Sequence, residues 1–531
     1  MSVYAAAERV ASFARRRLDE ACLPGLALVL TDRTDTLHQS GHGVSDRGSC
    51  APVSPQTLFE IGSISKGFTA AAVLRQAEER RIDLFAPIQS LLPWFDVPAG
   101  GTAITAHHLL THTAGLPSGN DIGPNSRAGC AAMRERETVT PPGVRYHYSN
   151  LGYEVLGYLQ EDLLGEEFGV LLDRLVLTPL GMRQSAATIT HAVRPRMAVG
   201  HVPKFDDRPR PRGNPLVPAP WHETASACGS VAASAEEMAL WMRSLLNRGA
   251  GLLSTRSFAQ MSRAHVRIRD GEDYGYGLRR RQMRDRLILG HSGGMVGFHS
   301  DMALDLEAGL GAAVLVNASA RCGWIASDIT GFALEALRAA ACRSEPPPEP
   351  LPLDEPATRD AACFEGTYHA VNETLVVEAD GAGLQLRRGN GRWRLLRRGD
   401  GEFCVDDPRV VYPLKFQRIG GSVVSLTLGP LRASRNLSGP AGTVPTEWRS
   451  AEGHYRSFTP WDTNFRVFAR GEELVVTAPP CCGGETVLVP EGPGLFRLGE
   501  GSPEWLRFDT VIGGMAQRAL LSGVPYTRVA R

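Results

Sequence analysis

Apolar and polar positions along this chain fall into two regimes, separated by a proline-rich stretch that begins at Ser344. Before it, long segments alternate between strand-like and helix-like spacing. Val3, Val10, Phe13 and Leu18 recur among Glu8, Arg9, Arg15, Arg16 and Arg17, which predicts an amphipathic N-terminal helix. Residues 26–30 and the alternation over 36–44 predict neighbouring strands. The alanine-rich text from Ser63, the run over 151–159 and the segment Ala235–Leu246 predict helices, and residues 287–300 with 311–317 predict the closing strands.

Beyond the boundary the pattern changes to short alternating apolar runs punctuated by glycine, as expected of a β-rich region. Residues 344–354 read Ser-Glu-Pro-Pro-Pro-Glu-Pro-Leu-Pro-Leu-Asp, an extended and semi-rigid spacer. The text after it repeats. Glu365-Gly366-Thr367-Tyr368 returns as Glu452-Gly453-His454-Tyr455, Leu375-Val376-Val377 as Leu474-Val475-Val476, and Leu414-Lys415-Phe416 as Leu506-Arg507-Phe508. Two tandem β-barrel modules are therefore expected, at 359–440 and 441–531, after a first domain at 1–343 and a linker at 344–358. The proline-rich segment 203–222 lacks periodicity and reads as a surface loop, either bordering a cleft or solvated as an insertion.

Composition narrows the function. At 531 residues the chain is long enough for more than one core, and its net charge of zero, without a long basic run, favours neither nucleic acid nor an anionic membrane as partner. No stretch of about twenty apolar residues predicts a transmembrane helix, and the N-terminus lacks the continuous apolar core of a signal peptide. Ten cysteines lie far apart, without metal-ligand or compact disulfide spacing, so reduced thiols in a cytoplasmic protein are expected, with no metal and no cofactor. Cys481-Cys482, flanked by prolines and glycines, reads as a turn.

Chemistry enters with the charge pattern. Basic charge is written as 54 arginines against three lysines, at 66, 204 and 415. Arginine cannot lose its proton, whereas a buried lysine can and then serves as a base. Lys66 stands three residues after Ser63 at the start of a predicted helix, so one turn brings hydroxyl and amine together. Tyr148-Ser149-Asn150 opens the next helix after Pro141-Pro142-Gly143, and His291-Ser292-Gly293-Gly294 lies on a strand whose small residues let a ligand approach its edge.

In this order the three motifs resemble the active-site signature of the serine β-lactamase and penicillin-binding-protein superfamily, in its class C and D-aminopeptidase-like branch. Leu109-Leu110-Thr111-His112-Thr113-Ala114-Gly115, Thr178-Pro179-Leu180-Gly181-Met182 and the text from Gly229 to Met238 look like stretches of the same branch, and the resemblance extends to about residue 343. It implies an α/β (α+β) fold, an antiparallel sheet flanked by helices plus a helical lobe, and two lipocalin-like barrels resemble the layout of the D-aminopeptidases. It also implies Ser63 as nucleophile, Lys66 or Tyr148 as base, and Asn150 as partner of Lys66 and of the substrate amide. The amides of Ser63 and Gly294 would form the oxyanion hole beside Gly293. His291 departs from the lysine usual in penicillin-binding proteins and β-lactamases, as it does in esterase and aminopeptidase members, which disfavours strong β-lactamase activity. His112 is expected to lie buried and hydrogen-bonded behind the site, and His107 and His108 at the surface of a helix start.

The expected protein is thus a serine hydrolase forming a Ser63 acyl-enzyme on a small amide, a peptide such as a D-amino-acid peptide, or an ester. An acyltransferase or cyclising thioesterase using the same acyl-enzyme is one alternative, and a catalytically inactive binding module is another. The barrels would narrow the active-site mouth or mediate a homodimer.

Overall fold

The computed structural model describes residues 1–119, 126–135, 138, 140–209, 215–319, 323–350, 361–381, 383–399, 401–436, 442–477 and 484–529. Cys481-Cys482, the chain around Pro440 and the linker beyond Pro350 lie outside them, so the turn, the module division and the linker's extended form are not described. Contacts divide the chain into two compact units, one of Met1–Val202 with Val217–Pro350 and one of Pro203–Leu216 with Leu351–Arg531.

The first unit is built on a nine-stranded antiparallel sheet. Its strands are β1 (Gly25–Thr31), β2 (Thr36–Asp46), β3 (Ala51–Pro52), β4 (Val266–Arg269), β5 (Glu272–Tyr274), β6 (Arg279–Met283), β7 (Arg286–Met295), β8 (Phe298–Asp305) and β9 (Leu310–Val316), in the order 3-2-1-9-8-7-6-5-4. Every residue of β1 and β9 is buried, so helices must cover both faces at the centre. Helix α1 (Val3–Glu20) is capped by Ser2 and buries Val10, Phe13 and Leu18, as its spacing predicts. Phe13 packs at 4.8 Å on Phe332 of the helix Gly323–Ala341, and Arg17 is tied to Asp328 at 2.8 Å on the same helix. The other layer comes from α2 (Ser65–Glu78), α3 (Asn150–Leu164) and α4 (Ala235–Leu246), where Trp241 stacks on Phe68 at 4.1 Å.

The second unit contains two closed eight-stranded barrels, each with its strands in chain order. Their interiors are filled by side chains, Phe364, Tyr368, Leu386, Phe403 and Leu426 in one and Tyr455, Phe465, Phe496, Leu506 and Tyr526 in the other. The repeat seen in sequence is atomic. Tyr368 donates its hydroxyl to the carbonyl of Phe364 at 2.7 Å and Tyr455 to that of Ala451 at 3.0 Å. The Arg435 guanidinium lies 5.5 Å from the Tyr368 ring and that of Arg528 5.9 Å from Tyr455, and Glu365 and Glu452 accept from the amides of Ala379 and Ala469. Leu414 and Leu506 both sit on the sixth strand of their barrel. One pairing is corrected: Leu375 lies on the second strand but Leu474 on the third. Short strands with the same apolar alternation cannot be told apart by three residues.

Segment Pro203–Leu216 belongs with the barrels. Arg456 grips both carboxylate oxygens of Asp206 at 2.7 and 2.8 Å, and Asn464 donates to the Asp206 carbonyl at 3.2 Å. These bonds replace the expected solvated insertion, because two adjacent acids meet an arginine-rich barrel surface.

Candidate active site

The site begins at a tight turn. Strand Phe59–Glu60 ends at Gly62, whose φ of +54° leads through a 3₁₀ turn, Gly62–Ile64, into α2. A Cβ on Gly62 would lie 2.6 Å from the Gly294 nitrogen, and one on Gly293 would lie 1.9 Å from the Ile61 carbonyl oxygen. Glycine at both places lets the edge of β7 press against the turn that carries Ser63. Ser300 fixes that contact by donating to Ile61 O at 2.8 Å, and Ser65 accepts from the Val231 amide, so its hydroxyl serves the framework.

One helical turn brings Lys66 Nζ to 3.1 Å from Ser63 Oγ. Lys66 has no solvent exposure, and its amine also donates to Asn150 Oδ1 at 2.7 Å and to the Cys228 carbonyl at 2.9 Å. Glu154 holds that carbonyl in place, since its Oε1 accepts from the Cys228 amide at 3.1 Å and from Ser226 Oγ. Tyr148 reaches Ser63 Oγ from the other side at 2.7 Å. It precedes Ser149, which caps α3 by accepting from Gly152 N at 3.1 Å and donates to Pro117 O at 2.7 Å. Lys66 and Tyr148 therefore meet at the Ser63 hydroxyl, with Asn150 joined to it through Lys66 Nζ.

His291 lies one layer behind. Its Nε2 is 3.0 Å from the Tyr274 hydroxyl and its Nδ1 is 2.6 Å from the Ser292 carbonyl, so both ring nitrogens bond within the protein. His112 touches the same tyrosine at 3.1 Å, and its ring lies 4.3 Å from that of Tyr148. Burial, reinforced by the charges of Arg279 and Lys66, holds the His291 pKa well below the ordinary histidine value. Burial, with Lys66 and His291 nearby, does the same to His112. Both rings are neutral at pH 7.

His107 differs from expectation. It is half-buried, bonded to Tyr276 at 2.8 Å and packed against His265 at 5.2 Å, and burial lowers its pKa to about 4. His108 closes a capping box with Thr105. Tyr274, Glu154, Arg279 and the Cys228 carbonyl were missed in the sequence. The doublet Tyr274-Gly275-Tyr276-Gly277 ahead of β6 was the available signal for the first; a main-chain carbonyl leaves none.

The Beta-lactamase family profile matches residues 10–322. The chain belongs to the Beta-lactamase family. As a family member it is a serine hydrolase, and its antiparallel sheet, flanking helices and two barrels are the architecture its motifs led one to expect. Penicillin-binding protein 4 of Amycolatopsis lactamdurans is 28% identical over 375 residues, covering 65% of this Beta-lactamase family chain and 93% of that relative. The unguisins hydrolase ungD of Aspergillus violaceofuscus is 27% identical over 326 residues, 53% of this chain and 56% of the relative. Among solved structures, the octameric penicillin-binding protein homologue from Pyrococcus abyssi superposes with a TM-score of 0.60 at 25% identity, over 80% of this chain and 99% of that one. Among the described residues no helix is long and apolar enough to cross a membrane.

Proposed function

We propose that this Beta-lactamase family member cleaves a small amide, peptide or ester through an acyl-enzyme on Ser63, with D-amino-acid amides and peptides as the first substrate class to test. The observation that carries the reading is the shared hydroxyl: Ser63 Oγ lies within hydrogen-bond reach of Lys66 Nζ at 3.1 Å and of Tyr148 Oη at 2.7 Å. A serine hydroxyl becomes a nucleophile when a neighbouring base takes its proton.

The partners of Lys66 favour the amine as that base. Asn150 Oδ1 and the Cys228 carbonyl can only accept, so they tie two N–H groups of the amine and hold Nζ 3.1 Å from Ser63 Oγ. Lys66 then receives the Ser63 proton as Oγ attacks the carbonyl carbon. Tyr148, donating to the same oxygen, is placed to pass a proton to the leaving group. The amides of Ser63 and Gly294, brought together by the glycine contact at Gly62, would hold the oxyanion, each worth about 10²–10³ in rate. Water then releases the acyl group.

His291 bears on the substrate. Neutral and bonded to Tyr274 and Ser292, it offers no fixed positive charge to a substrate carboxylate, which fits amides and esters better than a carboxylate-bearing lactam. The names of the relatives support both hydrolysis and penicillin-like recognition as chemistries to try. The inactive-module reading loses its support, since the barrel interiors are filled and the motif residues converge. A reducing compartment such as the cytoplasm fits the seven described cysteines, all free thiols. Self-association, expected as a homodimer, is supported by the octameric relative and read by light scattering.

The test is turnover of D-alanyl and L-alanyl amides, esters and thioesters, with and without added amines, with products read by mass spectrometry. Free acid in every case supports hydrolysis; new amide in place of acid would make the protein an acyltransferase. No turnover of any amide or ester would overturn the substrate class.

A further inference from the structure

Three buried side chains behind Ser63 form a chain of hydrogen bonds whose direction is fixed at both ends. At one end the Ser149 amide, which can only donate, lies 3.0 Å from His112 Nδ1. That nitrogen must carry a lone pair, so the proton of neutral His112 is on Nε2, 3.1 Å from the Tyr274 hydroxyl oxygen. At the other end His291 Nδ1 lies 2.6 Å from the Ser292 carbonyl, which can only accept. His291, which burial keeps neutral, therefore carries its one proton on Nδ1 and turns a bare Nε2 to Tyr274 at 3.0 Å. Between these ends Tyr274 accepts from His112 and gives the bare Nε2 of His291 the donor it needs.

We propose that Tyr274 and His112 are positioning residues of the active site, forming a one-way relay that locks His291 in the Nδ1–H tautomer and keeps both imidazoles neutral beside Tyr148. The three members are at most 2% exposed, so water does not compete for these bonds. An extra proton on His112 would face the Ser149 amide, and one on His291 would turn the Tyr274 hydroxyl hydrogen away from its acceptor. The relay is tied to the nucleophile by geometry. Ser149 is the residue next to Tyr148, and the Tyr148 ring lies 4.3 Å from His112, 6.3 Å from His291 and 4.8 Å from Lys66 Nζ.

The surrounding charges explain why neutrality matters. His112 faces Lys66, Arg279, His147 and His291; His291 faces Arg279, Lys66 and Arg281; Tyr274 faces Tyr146, Tyr148, Tyr153 and Arg279. An imidazolium here would be repelled by the Arg279 and Arg281 guanidiniums, and it would polarise the Tyr148 hydroxyl that reaches Ser63. The relay instead sets the charge state of the whole layer by the backbone at Ser149 and Ser292. It rests on the Ser63 reading for its catalytic meaning, but the tautomers themselves do not depend on it.

The test is long-range proton–nitrogen correlation NMR on the full chain labelled with ¹⁵N-histidine, with His291→Gln and His112→Gln to assign the signals. From pH 8 to 5.5 the relay requires a protonated Nδ1 on His291, a protonated Nε2 on His112, and no titration of either. In Tyr274→Phe, His291 Nε2 loses its donor while the Ser292 carbonyl still holds Nδ1–H, so the Nε2 signal should shift and the ring should begin to titrate within this range. The same variant should lower kcat about tenfold with KM within about twofold, and lose more at pH 6 than at pH 8, which a purely structural role would not do. An Nε2–H tautomer on wild-type His291 would overturn the relay, as would a Tyr274→Phe protein whose His291 still does not titrate and whose pH profile is unchanged. If that variant does not fold, the wild-type tautomers decide alone. Correct tautomers in a protein whose Ser63 takes no acyl group would uphold the relay and sink only the catalytic reading.

Discussion

The barrels and the catalytic sheet both bury polar side chains, but they satisfy them over different distances along the chain. In each barrel a buried tyrosine, Tyr368 or Tyr455, donates to a carbonyl four residues earlier and lies under an arginine from the closing end of the same barrel. In the catalytic unit Lys66 draws its partners from residues 63, 150 and 228, and His291 and His112 meet through Tyr274. A barrel can be assembled from local pairings between successive strands. The active site exists only when at least five separate segments of the sheet and helices are in place, so its chemistry is hostage to the whole unit.

The largest effect expected from that difference is at Ser63. Ser63→Ala should lower turnover by about 10⁴-fold or more, with Lys66→Ala close behind, because residues that act as a unit are lost as a unit. The double variant should be little worse than either single one, and full additivity would break the comparison. Tyr148→Phe should cost about 10²–10⁴ in kcat, as loss of a positioned proton donor does. None of the three should move the melting of the barrel unit in calorimetry.

The converse variant is Tyr455→Phe. It leaves the Ala451 carbonyl without its buried donor and should destabilise the barrel unit by about 1–3 kcal/mol, while acylation of Ser63 in the folded protein keeps its rate. A fall in acylation rate would show that the two regions are not independent in the way their bonding suggests.

Acid should separate them more gently. Nine histidines of the catalytic unit, at 42, 107, 108, 112, 201, 222, 265, 291 and 299, have pKa values lowered with burial as the leading cause, against His454 in the barrels. Such groups are neutral in the fold but take up protons in the unfolded chain below about pH 6.5. Unfolding is then accompanied by proton uptake, so stability falls as pH drops from about 6.5 towards 5. Scanning calorimetry at pH 7 and 5 should show the catalytic transition moving down further than the barrel transition. The smallest effect expected is for Glu154→Gln, which loosens the Cys228 carbonyl under Lys66 and should lower kcat about tenfold with KM little changed.

What could be read from sequence follows the same division. Helix Ala235–Leu246 and the helix from Asn150 stood out by their apolar runs, which the structure shows capped by Ser234 and Ser149. Ser63 and Lys66 were legible because a single helical turn joins them, and the Glu-Gly-x-Tyr repeat because each barrel satisfies its tyrosine locally. Tyr274 was not legible, since its partners lie 162 residues before it and 17 after it and only the folded sheet brings them together. The anchoring of Asp206 was hidden for the same reason, its arginine standing 250 residues away. The Leu375 and Leu474 mismatch is the opposite failure, a local pattern too common to carry register.

The most direct test of the central claim is intact-mass spectrometry of wild-type, Ser63→Ala and Lys66→Ala protein after exposure to a fluorophosphonate. A nucleophile activated by the buried amine predicts one adduct on wild type, none on Ser63→Ala and a strongly slowed adduct on Lys66→Ala. An adduct of unchanged mass and rate on Ser63→Ala, or none on wild type, would contradict the assignment of Ser63 as the residue that carries the acyl group.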